Sequence, residues 1–276
     1  MVISVRYPFN HHPCYATNRD SLWHRIHLPV ASVCNVKCAF CSHSVGNSCH
    51  TSKPGFSAQI MTPEDAIKRT RVEIQKNPNL RLVAVSGPGE PLANPETFET
   101  LEIIRREHQD IAMCLSTNGL LLEDKIKWLR EINVDTITVS MSTTNFSTAS
   151  KIYEWARFKD SILRNEEMGL KIVKAQLRGI SKAANAGIFV KVNSILIPEL
   201  NMKDIVPLAC IISKLGATLH NIVPLFPNDK FIKYRKPSHQ ELQEIRKEAS
   251  VYINQFTHCK QCRSDVVGIP GCDTIL

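Results

Sequence analysis

Short apolar runs alternate with helix-like segments along most of this chain, and that alternation limits its fold more than any other feature. The strand-like runs cover residues 26–30, 80–85, 111–115, 134–139, 188–197 and 217–223. The helix-like segments begin at Thr62 and then cover residues 94–108, 123–131, 148–186, 202–215 and 239–255. Strands that alternate with helices form a parallel sheet covered by helices. About six such units are fewer than the eight of a full TIM barrel. We therefore expect an α/β protein with a partial (β/α)6 TIM-like barrel.

This pattern divides the chain into three parts. Residues 26–255 carry the alternation, whereas residues 1–25 and 256–276 lie outside it and are expected to form cysteine-bearing N- and C-terminal extensions. A length of 276 residues with 43% hydrophobic content is sufficient for one large core. The apolar runs are too short to cross a bilayer, and the N-terminus lacks the apolar segment of a secretory signal. These features predict a cytoplasmic protein without a membrane partner.

The chain is basic, with a formal net charge of +8. Such a balance is typical either of a solvated surface or of a protein with an anionic partner. The basic residues are scattered and no motif combines them with aromatic residues, so no nucleic-acid partner is expected. An anionic metal cluster or a polyanionic cofactor would also suit a basic cavity.

Cysteine is the most informative residue type in the composition. The ten cysteines are Cys14, Cys34, Cys38, Cys41, Cys49, Cys114, Cys210, Cys259, Cys262 and Cys272. Most of them lie near one of the two ends, whereas generic core cysteines would be spread more evenly. In a long chain without a secretory signal, they indicate metal ligation or catalysis rather than disulfides.

Three cysteines follow the first strand-like run with the spacing C-x3-C-x2-C: Cys34, Cys38 and Cys41. Three thiolates on one tight loop can bind three corners of a 4Fe–4S cluster. The fourth iron is then open to a substrate, as the open position of a catalytic zinc is. The aromatic Phe40 suits packing over a bound cofactor. The alternatives are three unrelated thiols or a structural zinc site, although zinc sites usually pair C-x2-C with a distant second pair.

The cysteine triplet in this position resembles that of the radical SAM superfamily. The resemblance implies that the cluster binds S-adenosylmethionine (SAM) and cleaves it to a 5′-deoxyadenosyl radical. A loop with two glycines follows the second strand-like run, where the backbone can approach a ligand closely and Glu90 can accept a hydrogen bond from an ammonium group. The SAM-binding residues implied by the resemblance are Phe40, Gly87, Pro88, Gly89, Glu90, Asn118 and Asn193.

Longer strings make the resemblance more specific. They are His12-Pro13-Cys14, Arg25-Ile26-His27, Gly87 to Pro95, Cys114 to Gly119, Lys191 to Ser194, Leu219-His220-Asn221 and His258 to Asp265. From about residue 11 to residue 268, the sequence resembles the NifB family, the radical SAM maturases of the nitrogenase cofactor. It is similar to the compact members, which lack a NifX-like domain.

The resemblance implies an iron–sulfur cluster synthase of nitrogen fixation. Two further 4Fe–4S clusters would be its substrates, and one SAM would donate a methyl group to a cluster sulfide. A second SAM would yield the radical that abstracts hydrogen from this methyl, and fusion around the resulting carbide would give an eight-iron precursor. The implied ligands are His12, Cys14, Cys49 and Cys114 around one cluster, and Cys259 and Cys262 around the other. The implied partners are SAM, iron–sulfur cluster donors, an electron donor such as ferredoxin, and a downstream carrier or scaffold.

The segment after the triplet departs from the family pattern. Seven residues rather than five separate Cys41 from Cys49, and no glutamate stands between Cys49 and Pro54. His43 or His50 could act there as a ligand or base, because neutral imidazole can do either. This departure supports one alternative, a NifB-like radical SAM enzyme that modifies or methylates a different substrate. A non-catalytic cluster carrier is another alternative, but it would have no need of a SAM-binding loop.

Overall fold

A computed structural model of the chain describes residues 10–42, 45–46 and 54–276, which form an eight-stranded sheet and a three-stranded sheet. The strands are β1 (His24–His27), β2 (Val36–Cys38), β3 (Leu80–Val85), β4 (Ala112–Thr117), β5 (Thr136–Ser140), β6 (Tyr153–Phe158), β7 (Ser161–Leu163), β8 (Phe189–Leu196), β9 (Leu219–Pro224), β10 (Val266–Ile269) and β11 (Cys272–Ile275). The helices are α1 (Pro63–Lys76), α2 (Pro95–Glu107), α3 (Leu122–Glu131), α4 (Phe146–Ile152), α5 (Asn165–Asn185), α6 (Pro198–Lys214) and α7 (His239–Ser250).

Six parallel strands form the centre of the larger sheet, in the order β1-β3-β4-β5-β8-β9. At least one helix follows each of them in the chain, and the main hydrophobic core lies between the helices and the sheet. The predicted partial (β/α)6 barrel is confirmed. Within the described residues β9 does not pair with β1, so the barrel is open. No helix in this part of the chain is long and apolar enough to cross a membrane.

Local signals place several of the boundaries correctly. The Thr62 hydroxyl accepts a hydrogen bond from the backbone N–H of Asp65 at 3.2 Å, and Pro63 is the first residue of α1, as the sequence predicts. The helix predicted from residue 202 begins earlier, at Pro198, because proline is also accommodated at that first helical position. The helix predicted to reach residue 255 ends at Ser250.

The helical segments predicted over residues 148–186 are present as α4 and α5, but the prediction is wrong for residues 153–163, which form two strands. The antiparallel strands β6 and β7 separate α4 from α5, and Lys159 at the turn between them has a φ of 53°. The aromatic residues of β6 (Tyr153, Trp155 and Phe158) favour a strand, and helical patterns on both sides obscure that signal. Because β6 also pairs with β2, this hairpin supports the strand that ends at Cys38.

The C-terminal residues extend the sheet beyond β1. Strand β10 pairs antiparallel with β1, and β11 pairs with β10. The fully buried guanidinium of Arg25 fastens this hairpin, because it donates to the Gly268 carbonyl at 2.7 Å and to the Asp273 carboxylate at 2.6 Å. The first strand begins at His24, two residues before the predicted start of the barrel at residue 26. The division at residues 25 and 255 stays a prediction.

Candidate active site

The three cysteines of the C-x3-C-x2-C motif line one cavity near the carboxyl ends of the parallel strands; we call it the triplet cavity. Its lining also includes most of the predicted SAM-binding residues, namely Phe40, Pro88, Gly89, Glu90, Asn118 and Asn193. Gly87 does not line it; a φ of +153° turns this residue towards Ser264. The free space in the cavity, with the open space at its mouth included, is about 750 Å³.

The thiols of the triplet cavity suit metal binding. Burial raises the pKa of Cys34 to about 12, and burial also raises the pKa of Cys38 well above its ordinary value. Both thiols are therefore protonated until a metal displaces the protons. The side-chain amide of Asn118 lies 3.8 Å from the Cys34 sulfur, and donors to cluster sulfurs tune iron–sulfur centres.

A cluster binds each of three thiolates at a different iron, whereas a single metal ion must bind all of them at one position. The three thiols that line this cavity match the three protein ligands of a 4Fe–4S cluster that leaves one iron open. Nowhere in residues 10–42, 45–46 and 54–276 do three His, Cys, Asp or Glu side chains converge on one ion position.

Glu90 connects two of the loops that form the triplet cavity. Its buried carboxylate accepts hydrogen bonds from the Thr117 hydroxyl at 2.5 Å, from the backbone N–H of Asn118 at 2.6 Å and from that of Leu92 at 3.1 Å. Burial raises the pKa of Glu90 to about 7, although these three hydrogen bonds oppose the rise. A carboxylate offers about four acceptor positions, so roughly one remains for a ligand donor.

Gly89 allows the loop after β3 to contact the segment before Cys34. Its backbone N–H donates to the Ala31 carbonyl at 2.7 Å, and the N–H of Glu90 donates to the Val33 carbonyl at 2.8 Å. A Cβ atom on Gly89 would lie only 2.2 Å from the Val33 carbonyl oxygen. Glycine is required here for a close backbone approach, as the sequence predicts, but the backbone it approaches is that of the cysteine loop.

A second cavity adjoins the first one inside the barrel, and we call it the thiol cavity. Its free space is about 1,110 Å³. Its lining includes four thiols, two imidazoles and one ammonium group, from Cys14, Cys114, Cys259, Cys262, His12, His27 and Lys191. The residues that line both cavities are Ser86, Ser116, Ser140, Asn193 and Ile195. A molecule in one cavity would thus be separated from the other cavity only by small polar side chains and one isoleucine.

The thiol cavity is assembled from distant parts of the chain. Cys14 comes from the N-terminal extension, Cys114 from the middle of β4, and Cys259 and Cys262 from the segment before β10. Burial raises the pKa of Cys114 to about 12 and that of Cys262 to about 11. The structure therefore brings together all the cysteines predicted as substrate-cluster ligands except Cys49, which lies outside the described residues, as do His43 and His50.

The two histidines of the thiol cavity differ in their hydrogen bonds. Nδ1 of His12 accepts from the backbone N–H of Cys14 at 3.0 Å, and its Nε2 lies 3.3 Å from the Thr136 hydroxyl. Nδ1 of His27 lies 3.1 Å from the carbonyl oxygen of Arg263 and 3.2 Å from the Ser86 hydroxyl. The carbonyl can only accept and the hydroxyl can accept as well, so these contacts assign the proton to Nδ1. Nε2 of His27 is then the unprotonated nitrogen, as in metal-binding histidines whose other ring N–H donates to a carbonyl.

Sequence reasoning assigned no role to His27 or Lys191, although both lie in strings that it singled out. Burial lowers the pKa of His27 to about 3, which keeps the ring neutral and able to bind a metal. The sequence signal that could have found them is the alternation of side chains along a strand. Residues two positions apart lie on the same face, so Lys191 shares a face with Asn193, and His27 shares one with Arg25.

Comparison with known proteins agrees with this geometry. The family model described as the Radical SAM superfamily matches residues 28–209. FeMo cofactor biosynthesis protein NifB of Methanocaldococcus infernus is 39% identical over 258 residues, which cover 94% of this chain and 85% of that protein. NifB of Klebsiella pneumoniae is 36% identical over 269 residues, which cover 95% of this chain but 57% of that protein. The solved structure of native anSMEcpe with bound AdoMet has a similar fold, with a TM-score of 0.52 and 18% identity over 84% of this chain and 63% of that one.

Proposed function

The chain belongs to the NifB family of the radical SAM superfamily, and we propose that it fuses two 4Fe–4S substrate clusters around a SAM-derived carbide. The product would be the eight-iron precursor of the nitrogenase cofactor. Membership makes the chain a radical SAM enzyme of nitrogenase cofactor biosynthesis, and the proposal concerns the reaction itself. The observation that carries it is the pair of adjoining cavities, one with the cysteine triplet and one with four further thiols.

The triplet cavity is proposed to bind the resident cofactors. Cys34, Cys38 and Cys41 would hold a 4Fe–4S cluster, which supplies an electron for reductive cleavage of bound SAM. Asn118 and the remaining acceptor position of Glu90 would orient the amino-acid part of SAM. Phe40, Pro88, Gly89 and Asn193 would contact the rest of the molecule, and Gly87 would act through the shape of its loop.

The thiol cavity is proposed to receive the substrate clusters. Two complete sites with four cysteines each would need about eight thiolates, and the described part of this cavity has four: Cys14, Cys114, Cys259 and Cys262. Incomplete ligation suits a substrate, because a cluster that must rearrange and leave cannot be held at every iron. We include His27 as a ligand because its Nε2 is unprotonated, and the roles of His12 and Cys49 stay predictions.

The proposed reaction also requires other molecules. An electron donor such as a ferredoxin would reduce the triplet cluster, iron–sulfur donors would supply the substrate clusters, and a carrier or scaffold would receive the product. Ser86, Ser116 and Ser140 line both cavities, so a group derived from SAM would move past these side chains to reach the substrate.

The test uses anaerobically reconstituted, reduced protein and SAM radiolabelled in its methyl carbon. We expect deoxyadenosine, S-adenosylhomocysteine and label retained in the acid-labile cluster fraction. Deoxyadenosine without label in that fraction, and no more iron than one cluster per chain, would refute cluster fusion. That result would favour the alternative, a NifB-like radical SAM enzyme that acts on a different substrate, which the altered segment before Pro54 also suggests.

A pair of cysteine variants sharpens the assay. Cys262→Ser removes a thiol from the thiol cavity, so label in the cluster should be lost while SAM cleavage continues. Cys210→Ser is the matched control, because Cys210 lies on α6 and lines neither cavity. Equal label retention in the two variants would argue against the thiol cavity as the site of fusion.

A further inference from the structure

Lys191 is a buried cation that has no ion-pair partner among the described residues. Its side chain is 5% exposed and lines the thiol cavity from β8. The ammonium group donates to the Cys14 carbonyl at 3.0 Å and lies 4.7 Å from the ring centroid of Tyr15 and 5.3 Å from that of Phe256. A carbonyl and two aromatic faces stabilise an ammonium group but leave its positive charge in place.

No carboxylate side chain of the chain is available to Lys191. Among the described residues, no ion pair within 4.0 Å involves its ammonium group. Residues 1–9, 43–44 and 47–53 contain neither Asp nor Glu. The two acids whose charges act on thiols of the cavity, Asp273 on Cys262 and Asp135 on Cys114, pair with arginines instead, with Arg25 at 2.6 Å and with Arg105 at 3.9 Å. Because an isolated buried charge is unfavourable, this cavity is complementary to an anion.

The other groups of the cavity agree with this requirement. Apart from the histidines and cysteines, Lys191 is the one ionisable side chain among the described residues that line the cavity. An ammonium group has three N–H donors, and the Cys14 carbonyl accepts only one of them. The remaining donors can reach an acceptor inside the cavity, and sulfide ions and cysteine thiolates are the acceptors that a bound cluster would offer.

We propose that Lys191 is the counter-cation and hydrogen-bond donor for an anionic iron–sulfur cluster bound in the thiol cavity. The inference rests on the proposed function, because it takes the anion to be a substrate cluster. Lys191 would retain the cluster through charge and hydrogen bonding without occupying an iron coordination position. A ligand set with few thiolates could then hold a substrate that must later leave.

The test first removes iron binding in the triplet cavity, so that only the thiol cavity contributes, and then changes Lys191. In a full-length background with Cys34, Cys38 and Cys41 changed to Ser, iron bound after anaerobic reconstitution with ferrous iron and sulfide reports on the thiol cavity alone. Lys191→Met keeps the length and removes the charge, and Lys191→Arg keeps the charge. Lys127→Met is the matched control, because the Lys127 side chain is 90% exposed. The readouts are iron and sulfide per chain, the rate of iron loss to a chelator, and urea unfolding of the metal-free proteins.

We expect Lys191→Met to lose iron on the order of tenfold faster than the background, with Lys191→Arg losing it more slowly than Lys191→Met. Metal-free Lys191→Met should be at least as stable as the background, because the uncompensated charge is gone. Iron retention unchanged by Lys191→Met would overturn the role of Lys191 and leave the proposed function intact. A background protein that binds no iron would refute both. If metal-free Lys191→Met is less stable than the background but retains iron as well as the Lys127→Met control does, Lys191 has a purely structural role.

Discussion

Gly89→Ala should disrupt the contact between the loop after β3, which we propose to bind SAM, and the segment before Cys34. The new Cβ would lie 2.2 Å from the Val33 carbonyl oxygen and 2.9 Å from that of Ala31, and these backbone atoms cannot move aside as a flexible side chain does. Overpacking of this kind costs about 1–3 kcal/mol. The two backbone hydrogen bonds of Gly89 and Glu90 to the same segment contribute about 0.5–1.5 kcal/mol each. We therefore expect the free energy of unfolding to fall by about 2–6 kcal/mol.

The assay is urea unfolding of the metal-free protein under anaerobic conditions, followed by iron analysis of the reconstituted protein. Gly46→Ala is the matched control, because a Cβ on Gly46 would meet no atom of the described residues within 4 Å. Gly89→Ala should also bind less iron in the triplet cavity, since its loop positions the segment that leads to Cys34. If both variants unfold at the same urea concentration and bind iron equally, the close approach does not constrain the site as we argue.

Three further predictions follow from buried charges and thiols. The carboxyl pKa of Glu90 is about 7 in the folded protein, whereas its ordinary value is 4.5. The folded state therefore holds this proton more tightly than the unfolded state does, and the free energy of unfolding falls as the pH rises from 4.5 to 7. Glutamine cannot lose a proton, so the free energy of unfolding of Glu90→Gln, measured with urea, should rise by about 3 kcal/mol relative to that of wild type between pH 4.5 and pH 8. A difference between the two proteins that does not change with pH would contradict this. Asp273→Asn leaves the buried Arg25 without its carboxylate and should lower the free energy of unfolding by about 2–4 kcal/mol in the same assay; no change would show that the pair is dispensable. Cys38→Ser should reduce deoxyadenosine formation to background while iron remains in the thiol cavity, and continued SAM cleavage would exclude Cys38 as a cluster ligand.

Local signals in the sequence predict the parallel part of the fold because each strand and helix carries its own periodicity. The run at residues 80–85 coincides with β3, and Thr62 caps α1 as expected. The cysteine triplet is predictable for a similar reason, since its spacing lies within one loop. A bound cofactor requires those three thiols together, so the motif is visible without knowledge of the rest of the fold.

Features that depend on distant contacts are less visible in the sequence. The β6–β7 hairpin is stabilised by pairing with β2, more than a hundred residues earlier in the chain, and nothing near Tyr153 records that partner. His27 and Lys191 appear in recognisable strings, but their chemistry depends on what surrounds them. The Arg263 carbonyl fixes the tautomer of His27, and the lack of a nearby carboxylate gives Lys191 its unbalanced charge.

The thiol cavity joins the two ends of the chain, and this has a consequence for the order of folding. The hydrogen bond between Arg25 and Gly268 spans 243 positions, and that between His27 and Arg263 spans 236. Contacts between such distant positions form slowly, because the intervening chain must first be brought into place. The loop of Cys34, Cys38 and Cys41 depends on shorter-range contacts and can form earlier, because its strand β2 pairs with β6 at Cys38 and Tyr153, 115 positions apart. Nascent chains should therefore possess the loop of these three cysteines before the thiol cavity closes, and a chaperone or iron donor that engages an incomplete chain would meet those three thiols first.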